Sequence, residues 1–293
     1  MISPRSLLKA SNLRPKKKLG QHFLTEMATG ESIVSASKID KEDIVLEIGA
    51  GLGALTVPLA RVTKRVYAVE VDFSIVPLLE TVFNSYGIKN VTIIDKDFLK
   101  VDLEEIARDE NRRLTIIGNL PYNISSQIII KLISSRHLIN RCILMFQKEL
   151  AQRIASLPGS KTYGRISVML QYYATIRPIK EIDASCFYPK PKVNSEVLEI
   201  IFKNASLLKA RNEAIFSQVV KASFSKRRKT IKNALTGSLL FGKADDAKKI
   251  LENAGIDSTR RAETLSIEEF VKLSNVVAQS GKKPNFTENC LRS

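Results

Sequence analysis

Short apolar runs recur along the first two thirds of the chain: "DIVLEI" (43–48), "RVYAVE" (65–70), "VTIID" (91–95), "LTIIG" (114–118) and "CILMF" (142–146). Between them lie amphipathic stretches that predict helices over 54–62, 72–85 and 124–134. Strand and helix in alternation predict a parallel sheet flanked by helices. Two later runs, around 172–179 and "SEVLEIIF" (195–202), flank "FYPKPKV" and are expected to pair as a hairpin on the sheet edge. From residue 203 the pattern turns helical, in "NEAIFSQVVKASF", "DDAKKILENAG" and "SIEEFVKLSNVVAQ" (266–279), with no convincing strand. The expected division is a basic N-terminal arm (1–25), a large α/β domain (26–202), a small all-α domain (203–280) and a flexible tail (281–293).

Charge adds a partner to this picture. The 293 residues carry 46 Lys and Arg against 30 Asp and Glu, a net charge of +16, which makes a polyanion the first partner to consider. The excess is concentrated. Residues 1–25 hold six Lys or Arg and no acid, including Lys16, Lys17 and Lys18, and "KKKLGQHFL" leads straight into structured sequence without a cleavage-like segment. Residues 203–235 hold nine Lys or Arg and one acid, centred on "SKRRKTIK", so Arg227, Arg228 and Lys229 are candidate phosphate contacts. No apolar run is long enough to span a bilayer. The three cysteines, Cys142, Cys186 and Cys290, form no CxxC pair, which argues against structural zinc or a disulfide framework and fits a reducing cytoplasm.

The strand ends carry the candidate chemistry. "VLEIGAGLGALT" puts Gly49, Gly51 and Gly53 where the first strand turns into a helix, a place where backbone must turn tightly and a ligand must approach without a Cβ in the way. Glu70, ending the second strand, is placed to accept ribose hydroxyls. These features suit any nucleoside cofactor, and the G-x-G-x-x-A spacing keeps a nicotinamide dinucleotide in contention. Asp97 could accept from an adenine amine, with Phe98 against the ring. After the fourth strand come Asn119, Leu120, Pro121 and Tyr122. Pro121 biases Leu120 toward extended backbone, bringing the Leu120 carbonyl near the Asn119 carboxamide oxygen. Two such acceptors can hold both hydrogens of a nucleobase amine and leave its lone pair free to attack, while Tyr122 offers a stacking face worth on the order of 1–3 kcal/mol per base. A plain turn, with Asn as a cap and Tyr in the core, is the alternative.

"KKKLGQHFL", "EIGAGLG", "YAVEVD", "GNLPYNIS" and "FYPKPKVNSEV" stand in the order and spacing of a known family. From Lys16 to about residue 280 the chain resembles the KsgA family of small-subunit rRNA adenine dimethyltransferases. The resemblance implies a Rossmann-like methyltransferase sheet with helices on both faces and a small C-terminal all-α domain. It implies S-adenosyl-L-methionine as methyl donor and N6,N6-dimethylation of two adjacent adenosines in the 3′-terminal hairpin loop of small-subunit rRNA, within an assembling small ribosomal subunit. Carried over by motif, His22 and Leu24 close over the cofactor, Gly49 and Gly51 contact it, Glu70 binds its ribose, Asp97 and Phe98 hold its adenine, and Asn119 bridges cofactor and target base. Phe187, before "PKP", either stacks on that base opposite Tyr122 or is a core aromatic; both readings stand. No metal is implied, and a cytoplasmic monomer is expected. The rivals are a large-subunit rRNA methyltransferase of the macrolide-resistance type and a non-catalytic assembly or transcription factor on the same fold.

Overall fold

The structure, a computed structural model, describes residues 4–121, 123–203, 209–238 and 240–280. It divides into two compact units, one drawn from Met1–Ala151 and Thr175–Phe202, the other from Gln152–Ala174 and Lys203–Ser293. The second unit thus takes in residues 152–174, which the sequence pattern had assigned to the α/β part.

The first unit begins with α1 (Pro4–Ala10), β1 (Phe23–Leu24) and α2 (Met27–Ala36). There follow β2 (Ile44–Ile48), α3 (Thr56–Val62), β3 (Arg65–Glu70), α4 (Val76–Ser85), β4 (Val91–Asp95), α5 (Leu103–Asp109), β5 (Leu114–Asn119), α6 (Ser125–Ser134) and β6 (Ile139–Gln147). α7 (Lys148–Ala155) leaves the unit, and β7 (Ala174–Ile182), β8 (Phe187–Tyr188) and β9 (Ser195–Phe202) complete it. Seven strands form one mixed sheet in the order β4-β3-β2-β5-β6-β9-β7. The pairs of β2 with β3 and β5, β3 with β4, and β5 with β6 are parallel, while β6 and β9 run antiparallel. The expected hairpin pair β7 and β9 does extend the edge.

Burial follows position in the sheet. All five residues of β2 and the first five of β5 are buried, as strands covered on both faces must be, whereas the edge strand β4 is only partly covered. Pro178, which cannot donate to a ladder, lies on the edge strand β7. α4 starts later than its apolar pattern suggests because Asp72 first closes a turn, accepting from Ser74 N at 3.2 Å through Oδ1 and from Ile75 N at 2.9 Å through its carbonyl. Because β2 pairs with β3 on one side and β5 on the other, chain order reverses between β2 and β5, and the carboxyl ends of these strands flank the crevice where open α/β sheets bind ligands.

The basic N-terminal segment is more built than an arm. Leu8 is 2% exposed and packs with Phe23, Leu52 and Ile75. β1 pairs with β8, setting Phe23 opposite Tyr188 and Leu24 opposite Phe187.

The second unit contains α8 (Arg165–Tyr173), α9 (Glu213–Ser223), α10 (Ile231–Leu235), α11 (Ala244–Asn253) and α12 (Ile267–Gln279). Asn212 and Thr230 cap α9 and α10, and Ser266 with Glu269 forms a capping box on α12. α8 belongs here because Val168, Met169 and Tyr172 enter the same core as Phe216 and Phe270, with the Tyr172 and Phe216 rings 4.3 Å apart. No helix of the described residues is long and apolar enough to cross a membrane.

Candidate active site

The glycine turn after β2 has the geometry its sequence requires. Gly49, Gly51 and Gly53 have φ of 74°, 55° and 82°, the left-handed region that a side chain disfavours. Gly49 N and Ala50 N both donate to Val69 O, at 2.9 and 3.0 Å, tying the turn to β3. Gly51 N donates to Glu70 Oε2 at 2.8 Å, and Asp72 N to Glu70 Oε1 at 2.9 Å. Glu70 is 5% exposed, and burial raises its pKa against the pull of those two N–H groups. Each oxygen retains acceptor capacity beyond its backbone bond.

Across the crevice, Asn119 ends β5. Its Nδ2 donates one hydrogen to His22 O at 2.9 Å, which fixes the carboxamide's orientation, and Oδ1 keeps its capacity as acceptor. His22 is itself fixed, with Nδ1 2.6 Å from Pro189 O. A carbonyl only accepts, so Nδ1 carries the proton. Leu120 N donates to Met145 O at 3.2 Å and the Leu120 side chain is buried. Pro121 O accepts from Ser125 Oγ at 2.9 Å, joining the tetrapeptide to α6. Tyr122 lies outside the described residues.

A small cavity of about 40 Å³ is lined by His22, Leu24, Glu47, Gly49, Gly51 and Asn119, among others. It draws together five of the residues singled out in the sequence and adds Glu47. Glu47 is 1% exposed, and its Oε2 has no hydrogen-bond partner. Burial pushes its pKa up to about 8; the Thr56 hydroxyl, which opposes the rise, is outside hydrogen-bonding geometry, and Glu70 adds to it. Phe23 is a second omission: a Cβ on Gly51 would meet its ring at 3.1 Å. An acid inside the apolar run "IVLEI" was the available sign for Glu47, whereas nothing local marks Phe23.

The remaining candidates divide. Asp97 accepts from Leu99 N at 3.0 Å, so one oxygen shapes the turn after β4. Phe98 is 4% exposed, with the Lys131 ammonium 5.3 Å from its ring centre, a packed residue more than an open stacking face. Lys131 also donates to Leu99 O at 3.0 Å and so ties this turn to α6. Phe187 is 3% exposed and packs with Leu24, Ile33 and Met145, as the core reading of this aromatic expects. Lys16 pairs with Asp72 at 2.5 Å and donates to Ser74, so it braces the loop after β3. Partial burial works against Asp72, but Lys16, Ser74 and Gln21 hold its pKa below the usual value. Lys17 and Lys18 are exposed in the turn before Gly20. In the second unit, Arg227, Arg228 and Lys229 lie exposed between α9 and α10, with Arg227 Nε 3.8 Å from Glu263.

Comparison with known proteins decides which chemistry this crevice belongs to. The model of the ribosomal RNA adenine dimethylase family matches residues 12–279. The chain belongs to the ribosomal RNA adenine dimethylase family. It is 44% identical to the ribosomal RNA small subunit methyltransferase A of Desulforapulum autotrophicum over 94% of this chain and 97% of that one, and 38% identical to the protein of that name from Clostridium acetobutylicum over 94% and 98%. A dimethyladenosine transferase from Plasmodium falciparum superposes with a TM-score of 0.76 at 27% identity, covering 89% of this chain and 98% of that one. The 23S rRNA methyltransferase ErmE shares the fold, with a TM-score of 0.64 at 22% identity over 88% and 100%. Family membership removes the nicotinamide reading of the glycine turn.

Proposed function

We propose that the protein transfers methyl groups from S-adenosylmethionine to N6 of two adjacent adenosines in the 3′-terminal hairpin loop of small-subunit rRNA. It acts as a cytoplasmic monomer on assembling small ribosomal subunits. The observation that carries this reading is the Asn119 amide: its nitrogen is held by the His22 carbonyl and its oxygen is left as acceptor at the mouth of β5, beside the glycine turn.

The residues present fit the cofactor. Three glycines free the turn of side chains, Glu70 is a buried carboxylate at the ribose position, and the orphan Glu47 Oε2 is an acceptor that a positively charged ligand would satisfy. When bound, S-adenosylmethionine supplies an electrophilic methyl group on a sulfonium. Glu70 would hold its ribose hydroxyls and Asp97 its adenine amine. Asn119 Oδ1 and the Leu120 carbonyl would accept the two N6 hydrogens of the target, keeping the nitrogen lone pair out of the ring and aimed at the methyl carbon. The new N–C bond would form as the methyl–sulfur bond breaks, the electron pair staying on sulfur as a neutral thioether that leaves; N6 is then cationic, its proton becomes acidic, and water or the neighbouring carbonyl takes it. Alignment of reactants does most of the work, so no strong base is required.

Labelled methyl transfer to undermethylated small subunits, large subunits and duplex DNA tests the reading. Label should enter small subunits alone and digest to N6,N6-dimethyladenosine; label in large subunits or DNA would overturn it. Asn119→Ala should lose on the order of 10²–10³-fold in turnover, comparable to removing a preorganised polar group from other sites, with cofactor affinity nearly intact.

A further inference from the structure

A second, larger cleft lies in the same unit. Its volume is about 1020 Å³, at the top of the range for small-molecule pockets and roomy enough for more than one nucleotide. Arg5, Lys9, Arg14, Lys17, Lys190 and Lys192 line it, with no Asp or Glu among the lining residues. None of these six has a carboxylate within ion-pairing distance among the described residues.

The cations are held in place by structure. α1 ends in a tight reversal, with Asn12 at φ 53°, Asn12 N donating to Lys9 O at 3.1 Å and Leu13 N to Leu8 O at 2.8 Å. This pairing of bonds satisfies the last carbonyls of the helix and lets Leu8 and Leu13 pack together. Arg5 and Lys9, four apart, therefore share one face of α1, where like charges repel unless an anion answers them. Lys190 and Lys192 belong to the loop after β8, spaced by Pro191. His22 lines both this cleft and the small cavity that holds Asn119, so the two spaces adjoin.

We infer that this cleft is a phosphodiester-binding channel, in which α1 and the loop 189–192 grip the RNA strand flanking the target adenosine. The inference rests on the proposed function and goes beyond it, because α1 precedes residue 12, where the family match begins. It assigns RNA contact to Arg5, Lys9, Lys190 and Lys192, and separates this site from the basic turn of the helical unit.

The test uses the full chain and undermethylated small subunits. Arg5→Glu with Lys9→Glu, and separately Lys190→Gln with Lys192→Gln, should raise KM for subunits at least about tenfold, with kcat and cofactor affinity unchanged. Each lost phosphate contact should reduce the slope of log affinity against log salt, measured on a short single-stranded oligoribonucleotide, by about 0.7. Unchanged cofactor affinity in the variants establishes that they are folded. If wild type methylates small subunits and both double variants match it in KM and salt slope, the channel is overturned and the proposed function stands. If wild type methylates no adenosine in small subunits, the proposed function itself fails.

Discussion

Glu47 has the largest consequence among the single residues. Burial pushes its carboxyl up to about 8, against an ordinary value of 4.5. Between those values the folded state keeps a proton that the unfolded chain has released, so stability falls as pH rises through that window and is flat below it. Glu47→Gln, a neutral isostere, should remove this slope: urea midpoints of the ligand-free protein should favour the variant more at pH 8 than at pH 5. The same variant should bind S-adenosylmethionine more weakly at pH 8, because the proposed acceptor for a positive group is lost; equal affinity in calorimetry would discard that role. The positions of Asn119 and Glu70 at strand ends were legible in the sequence because each closes an apolar run. Glu47 was marked only as an acid within an apolar run and Phe23 by nothing local, since the surroundings of both are set by what packs against them from other elements. Phe187 left two readings open for the converse reason: an aromatic beside a proline-rich loop reads the same whether it faces solvent or the core.

At the scale of elements, the central strands are set so closely that glycine is obligatory in one of them. A Cβ on Gly118 would come within 2.6 Å of the Ile48 carbonyl oxygen, its neighbour across the β2–β5 pairing. Backbone in the middle of a sheet cannot yield, so Gly118→Ala should cost about 1–3 kcal/mol in urea unfolding, the usual penalty of overpacking. It should also shift Asn119 and reduce turnover. Strand existence was legible because buried parallel strands write themselves as continuous apolar runs. α8 was not: "RISVMLQYY" is rich in β-branched and aromatic residues, and only the shared core of Val168, Met169 and Tyr172 with α9 reveals a helix of the second unit.

For the molecule as a whole, the net charge of +16 suits a polyanionic partner such as rRNA. Charge reversal across Arg227, Arg228 and Lys229 should weaken rRNA binding at low salt and flatten its salt dependence; a filter-binding titration across ionic strength would show an unchanged slope if these side chains touch no phosphate. The two-unit organisation was visible as a change of pattern near residue 203, but the excursion of residues 152–174 into the helical unit was not, because a chain that leaves a unit and returns carries no compositional mark. The ribbon joining β1 to β8 has a further consequence, for synthesis. Residues 23–24 and 187–188 are far apart along the polypeptide, yet their pairing, with the Pro189 carbonyl beside it, holds the His22 segment that orients Asn119. A nascent chain emerging from the ribosome therefore owns the glycine turn, Glu47 and Glu70 well before the contacts that hold the Asn119 carboxamide can form, because these wait for residues 187–189 to be translated.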